Sequence, residues 1–325
     1  MSDNETSHYF HAEAHALSGK LELPFREQIK KQAFVKLEGQ LASLTDEERA
    51  QHSYFSQHGK NFRLEGIVSY AAAHTQVSGH LSQKHEGASV TLATSVVEDL
   101  NVLNVVTADR VVAQISTTHF SGVPTPAITF LGTHFENLRV ARHSADPYLR
   151  LDLVGDPPAD KTALHVNKGS CFMNAVEAQY RRLKTGLESL AADDRKKMRL
   201  ETSAGSLSKK YDGLNLDYDS IQTKADAAQN GDSWDGITCS LVENVDIKDI
   251  TVKGSEGKPV DVHPPAKPFG HVIHIPDFGT IFLAELRVNH NSYNLTMIRL
   301  ELGCLADGNL NMVAANVNGG HKPGP

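Results

Sequence analysis

From residue 88 to residue 118 the chain reads ASVTLATSVVEDLNVLNVVTADRVVAQISTT. This tract is dense in Val, Thr and Ile, and long parts of it alternate apolar with polar. β-Branched side chains are stiff at χ1 and suit a pleated, half-buried surface, so the tract predicts strand. Similar runs are KNFRLEGIVSYA at 60–71, PAITFLGTHFENLRVA at 126–141 and CSLVENVDIKDITVKG at 239–254. Further on come HVIHIP, TIFLAELRV, YNLTMIRLELG and NLNMVAANV. Clusters of Gly, Asn, Asp and Pro separate them, as turn chemistry requires.

Strands follow strands without regular helical crossovers. That order predicts a mainly β chain, an antiparallel sandwich or jelly-roll rather than a βαβ sheet. With 325 residues, the reading is one large β domain spanning 1–325. One segment departs from the pattern. Within 174–200, Val176, Tyr180, Leu183, Leu187 and Leu190 step by four and three, the stripe of an amphipathic helix. Asn174 with Glu177 resembles a capping box, and Lys196, Lys197 and Arg199 suit the dipole at the far end. An acidic stretch, 201–236, follows. Residues 172–238 are therefore read as a helical and acidic-loop insertion in the β domain. A second helix is weighed within 25–50, where QAFVKL at 32–37 reads equally well as strand.

A six-residue pattern recurs as VEDLNV (97–102), FENLRV (135–140) and VENVDI (242–247). Its first apolar residue stands three before the next, so strict alternation breaks once. The expectation is a bulge or corner at the entry to a strand. Repeated structural units would explain the recurrence, and so would coincidence in a chain rich in Val and Asn.

A net charge of −7, with no Lys/Arg cluster interleaved with aromatics, gives no electrostatic reason to bind nucleic acid. No apolar run approaches the ~20 residues of a membrane-spanning helix. The opening MSDNETSHYF has no basic n-region and no apolar h-region, so a cytoplasmic location is expected, with an extracellular one left open to a leader already removed. Cys171, Cys239 and Cys304 make no CxxC pair. Buried thiols are the plain reading. Because Cys171 and Cys239 bracket the insertion, a disulfide between them is the alternative in an oxidising compartment.

TLATSVVEDLNVLNVVTADRVVAQIST, and FGHVIHIPDFGTIFLAELRV with YNLTMIRLELGCLADGNL, resemble uncharacterised bacterial all-β proteins. The TSVVEDLNVLNVVTADRV part is similar to the secreted "choice-of-anchor" type of bacterial β protein. The resemblance implies an all-β fold and brings no catalytic residue with it.

HYFHAEAH at 8–15 is the main candidate for chemistry. On a strand His11, Glu13 and His15 point the same way, with neighbours about 6.6–7 Å apart, a spacing at which two of them share a divalent transition metal. On a helix His8, His11 and His15 would line one face instead. The plain alternative is a polar outer face with Ala12, Ala14 and Ala16 packed inward. Asp212, Asp217, Asp219, Asp226, Asp232 and Asp235 offer oxygen ligands for calcium, or form a solvated acidic loop. No G-x-S-x-G elbow, P-loop or G-x-G-x-x-G follows a strand. The expected function is a non-enzymatic structural or binding scaffold, self-assembling as a homo-oligomer. A metal-dependent enzyme using HAEAH and a carbohydrate-binding module with aligned Tyr residues are the rivals.

Overall fold

The 88–118 tract folds as a hairpin. Its two strands meet at Leu103 and Asn104, both with positive φ (52° and 56°), the type I′ geometry that matches the twist of paired strands. Asn101 Oδ1 accepts the backbone N–H of Asn104 at 2.8 Å and holds the turn. The computed structural model describes residues 7–40, 53–155, 170–188, 236–289 and 292–322, apart from 83, 84, 86, 124, 254–257, 304 and 305.

In chain order the strands are β1 (Ser7–Leu23), β2 (Glu27–Gln32), β3 (Val35–Gln40), β4 (Tyr54–Leu64), β5 (Val68–Leu81), β6 (Ser89–Val102) and β7 (Val106–His119). The short β8 (Ala127–Thr129), β9 (His134–Glu136), β10 (Arg139–Val140) and β11 (His143–Leu149) follow, then the helix α1 (Cys171–Glu188). After it come β12 (Ile237–Ser240), β13 (Val242–Ile247), β14 (Ile250–Lys253), β15 (Pro259–Val262), β16 (Lys267–Phe269) and β17 (Val272–Ile275). The chain closes with β18 (Gly279–Asn289), β19 (Ser292–Leu302) and β20 (Asp307–Lys322).

The expected antiparallel, mainly β architecture is what forms. Sheet A runs β16-β17-β18-β19-β20-β1-β2, with β12 on β18 and β3 on β1. Sheet B runs β13-β11-β10-β7-β6-β5-β4, with β8 and β9 on β7. β14 and β15 make a separate two-stranded ribbon. The sheets stack face to face, β1, β19 and β20 over β5, β6 and β7. Ala12, Ala14, Val77, Ala93, Val111 and Ile115 are among the fully buried residues between them.

Small residues let the layers approach. Ser95 Oγ on β6 donates to the His15 carbonyl on β1 at 2.9 Å. Such a bond spans far less than the ~10 Å usual between stacked sheets. Gly79 on β5 fits the same closeness: a Cβ there would stand 2.6 Å from Phe10 Cδ1.

Of the two readings of QAFVKL the strand one holds: the segment passes from β2 through a turn into β3. One detail differs from expectation. The helix starts before Asn174, because Ser170 is its cap: Ser170 Oγ accepts the Met173 N–H at 3.1 Å. Val176 and Leu183 of the expected stripe are buried, whereas residues 189–200 lie outside the described residues. Gln179 docks the helix by acting as a strand neighbour. Its amide donates to the Ser240 and Val242 carbonyls (2.9 and 3.1 Å) and accepts the Ser240 N–H at 2.9 Å.

The three copies of the six-residue pattern all lie in sheet B. Each buries its first, fourth and sixth positions more than its third, and Asp99 and Asn137, third in their copies, have positive φ (53° and 50°). The first two copies flank β7 at matching heights, with Val97 and Phe135 both opposite Val111. In the first two copies the expected break in alternation is thus a local backbone kink at the third position.

Candidate functional site: the polar outer face of sheet A

HAEAH lies in β1, between β20 and the edge strand β3 of sheet A, with Ala12, Ala14 and Ala16 fully buried and His11, Glu13 and His15 on the outer face. His11 Nε2 comes within 3.6 Å of Glu13 Oε1. Glu13 is also held by Lys31 Nζ at 2.6 Å and by Lys36 Nζ at 3.8 Å. Burial opposes its ionisation, but Lys31, with His11 and Lys36 behind it, outweighs that and keeps the carboxyl below its usual range. His15 turns instead to Ser18, Nε2 to Oγ at 2.9 Å. Among the described residues no group of three or more His, Cys, Asp and Glu side chains is placed to hold a metal ion. The acidic residues from Asp212 to Asp235 weighed for calcium lie outside the described residues, as does Trp234.

Beyond His15 the pleat of the sheet changes phase. In β1, His15 and Ser18 face out while Ala16 and Leu17 between them are both buried. β20 repeats this with Asn311 and Ala314 around Met312 and Val313, and β19 with Thr296 and Arg299 around Met297 and Ile298. In β18, Phe282 and Glu285 flank Leu283 and Ala284. Register places these doublets side by side, because His15 pairs Ala314, Ala314 pairs Thr296 and Thr296 pairs Glu285. Regular strands put outward side chains two residues apart. Here the gap is three in all four strands, so the outer face lacks one row of side chains.

That missing row is a depression of about 320 Å³. One wall is His15, Ala314, Thr296 and Glu285; the other is Ser18, Asn311 and Arg299. Thr238, Arg287 and Asn294 close one end. Backbone distortion accompanies the phase change: Val313 and Ala284 have positive φ, 57° and 46°, a region that costs a β-branched residue roughly 1–3 kcal/mol. The displaced carbonyls find partners. Ser95 Oγ takes that of His15, the Leu241 N–H takes that of Ala284 at 2.9 Å, and Ser240 Oγ takes that of Leu283 at 2.7 Å.

Arg299 and Glu285 join the two walls. The Arg299 side chain is 14% exposed and that of Glu285 8%. The guanidinium grips both Glu285 carboxylate oxygens, one at 2.9 Å, and also bonds Glu301. Its other face lies over the Phe282 ring, 3.6 Å from Cζ to centroid. Burial disfavours the Arg299 charge, but the hydrogen bond and charge of Glu285, with Glu301, more than offset this and raise its pKa.

Burial, with Lys31 nearby, lowers the His15 pKa to about 4 from 6.5, Glu13 opposing. His15 is therefore neutral near pH 7. Because its folded value lies below the unfolded one, its contribution is fully present above about pH 6.5 and is lost as pH falls towards 4. Urea midpoints measured from pH 7.5 to 4 should fall across that window, and His15→Gln should flatten the slope. An unchanged slope would assign the acid sensitivity to other groups.

Cys171 and Cys239 do not pair with each other. Cys239 is a buried free thiol, 3.4 Å from the Leu286 carbonyl, and its pKa is pushed up by burial and by Glu285. Cys171 is free and exposed, and Cys304 lies outside the described residues.

Of the lining residues, sequence reasoning singled out only His15. The signal for the others was present as an apolar pair between outward positions: HALS, TMIR, NMVA and FLAE. It takes meaning only once the four segments are known to lie side by side.

Fold and site define the class: an all-β protein of two stacked antiparallel sheets, with a polar depression on one outer face. The chain belongs to the family described as Domain of unknown function (DUF8256), whose model matches residues 8–289. No curated protein and no solved structure matches it. Among the described residues no helix is long and apolar enough to cross a membrane.

Proposed function

We propose that this protein is a binding module and that its ligand seats in the depression on sheet A. The observation behind the reading is the pleat phase change, which opens a concave, hydrogen-bonding surface in the middle of an otherwise regular sheet. A volume near 320 Å³ is at the lower end for ligand sites and suits a molecule of single-ring size. Ser18, Thr238, Asn294, Thr296 and Asn311 supply neutral donors and acceptors. Arg287 stands exposed at the rim, where it adds a second guanidinium to that of Arg299 and leaves the lining with two cations, one carboxylate and the neutral groups. The favoured ligand is accordingly a small hydroxyl-rich molecule with one anionic group. A sugar-stacking platform is not the basis of this reading, since none of the lining residues is an aromatic of the Phe, Tyr or Trp type and the neighbouring Phe282 ring is covered by Arg299. The proposal is made for the single chain and does not depend on the homo-oligomer that the strand-rich sequence suggests.

Thermal shift and calorimetry against neutral monosaccharides, sugar acids and hydroxycarboxylates test it. An acidic member should raise Tm, with binding weakened several-fold in Asn294→Ala and at least about tenfold in Arg287→Ala, the size of one lost neutral and one lost charged hydrogen bond. A panel without any binder, or affinity unchanged by both substitutions, would sink the reading.

A second reading, acyl transfer by Ser18, is favoured by its 2.9 Å contact with His15. The low basicity of His15 works against it, because a general base is most effective with a pKa near the working pH. Ester hydrolysis lost in Ser18→Ala would reverse the order of the two.

A further inference from the structure

Away from this depression, on the outer face of sheet B, His58 of β4 and His74 of β5 stand directly opposite each other. Their Nδ1 atoms are 3.3 Å apart, and their rings lie 4.4 Å apart at 42°. Two imidazole nitrogens bound to one tetrahedral ion, each at about 2.0–2.1 Å, are necessarily about 3.3–3.4 Å from each other. We infer that His58 and His74 form a two-histidine site for a divalent transition metal, which clips the last strand of sheet B to its neighbour.

The surroundings fit that role. His58 is exposed and His74 half-buried, so an ion reaches the pair from solvent and water completes its coordination. The next residue along the row, Val96 on β6, is 8% exposed, which backs the pair with an apolar wall. Without metal, one imidazole carries its proton on Nδ1 and donates it to the other Nδ1. With metal, both Nδ1 atoms are bare acceptors and each ring keeps its proton on Nε2. The change is one of tautomer, so two neutral histidines release no proton. Imidazole suits zinc, nickel and copper, with Cu²⁺ bound most tightly of the three. β4 ends its sheet and pairs with β5 alone among the described strands. A link between positions 58 and 74 therefore acts where a sheet frays most easily.

The test is titration of the full chain with Zn²⁺ and Cu²⁺ in a non-coordinating buffer. It is paired with hydrogen exchange of the β4 amides with and without Zn²⁺. We expect one equivalent bound, affinity reduced at least about tenfold in His58→Ala and in His74→Ala, little change in His11→Ala/His15→Ala, and slower β4 exchange in saturating Zn²⁺. Absence of binding in the parent overturns the inference. So does binding that survives both single variants or is lost only in the His11/His15 variant, which would move the metal to HAEAH. Should either variant fail to fold, exchange in the parent decides alone: β4 amides indifferent to Zn²⁺ would remove the clip.

Discussion

Arg299→Ala should lower the unfolding free energy by about 3–5 kcal/mol, the cost of taking the cation out of a buried ion pair. Glu285 is the group left behind, with a side chain only 8% exposed and both oxygens turned to Arg299. Glu285→Ala should cost less. Arg299 then still bonds Glu301 and still lies over Phe282, so its charge is not abandoned. The ordering of the two variants tests the site geometry beyond the mere presence of an ion pair. Replacing both residues with apolar ones of similar volume should recover much of the loss. Urea unfolding of the three variants provides the measurement, and an Arg299→Ala protein within about 1 kcal/mol of the parent would mean that the pair is solvated as surface pairs are.

Gly308→Ala should be comparably damaging for a different reason. Gly308 has a φ of +148°, and a Cβ there would stand 2.2 Å from the Lys20 carbonyl oxygen and 2.8 Å from Leu21 Cα. These are backbone atoms of β1, and β20 is hemmed in on its other side by β19, so neither strand can retreat. Strained φ and overpacking each cost about 1–3 kcal/mol, giving about 2–6 kcal/mol together. Gly303→Ala is the control, since a Cβ there meets nothing within 4 Å, and it should stay within about 0.5 kcal/mol of the parent. Equal Tm values for the two variants would contradict the close approach of β1 and β20.

What could be read from the sequence followed from short-range patterns. Alternation around Val97 and Val111 announced strands, and the Ala12, Ala14 and Ala16 series announced an inward face, because side-chain direction in a strand is a local property. The stripe through Val176 and Leu183 announced a helix for the same reason. Its true start was missed because Ser170 caps it from outside the periodic stretch. The depression was not legible, because Ser18, Glu285, Arg299 and Asn311 come together only through pairings between the two ends of the chain. HAEAH shows the same limit. Its alternation predicted which residues face outward, but Lys31 and Lys36, which hold Glu13, arrive on the neighbouring strands β2 and β3.

The aligned inward doublets of β1, β20, β19 and β18 also bear on how the sheet finds its alignment. In a strand of unbroken alternation a slip of two residues keeps every side chain on its proper face, so only odd slips are punished. A doublet removes that degeneracy. If β19 slid by two against β20, Met297–Ile298 would no longer lie beside Met312–Val313, and between the offset doublets one strand would present its polar face to the core. Every shift, odd or even, then misplaces side chains. The doublets work as an indexing notch, and sheet A has one alignment where a perfectly periodic sheet would have several.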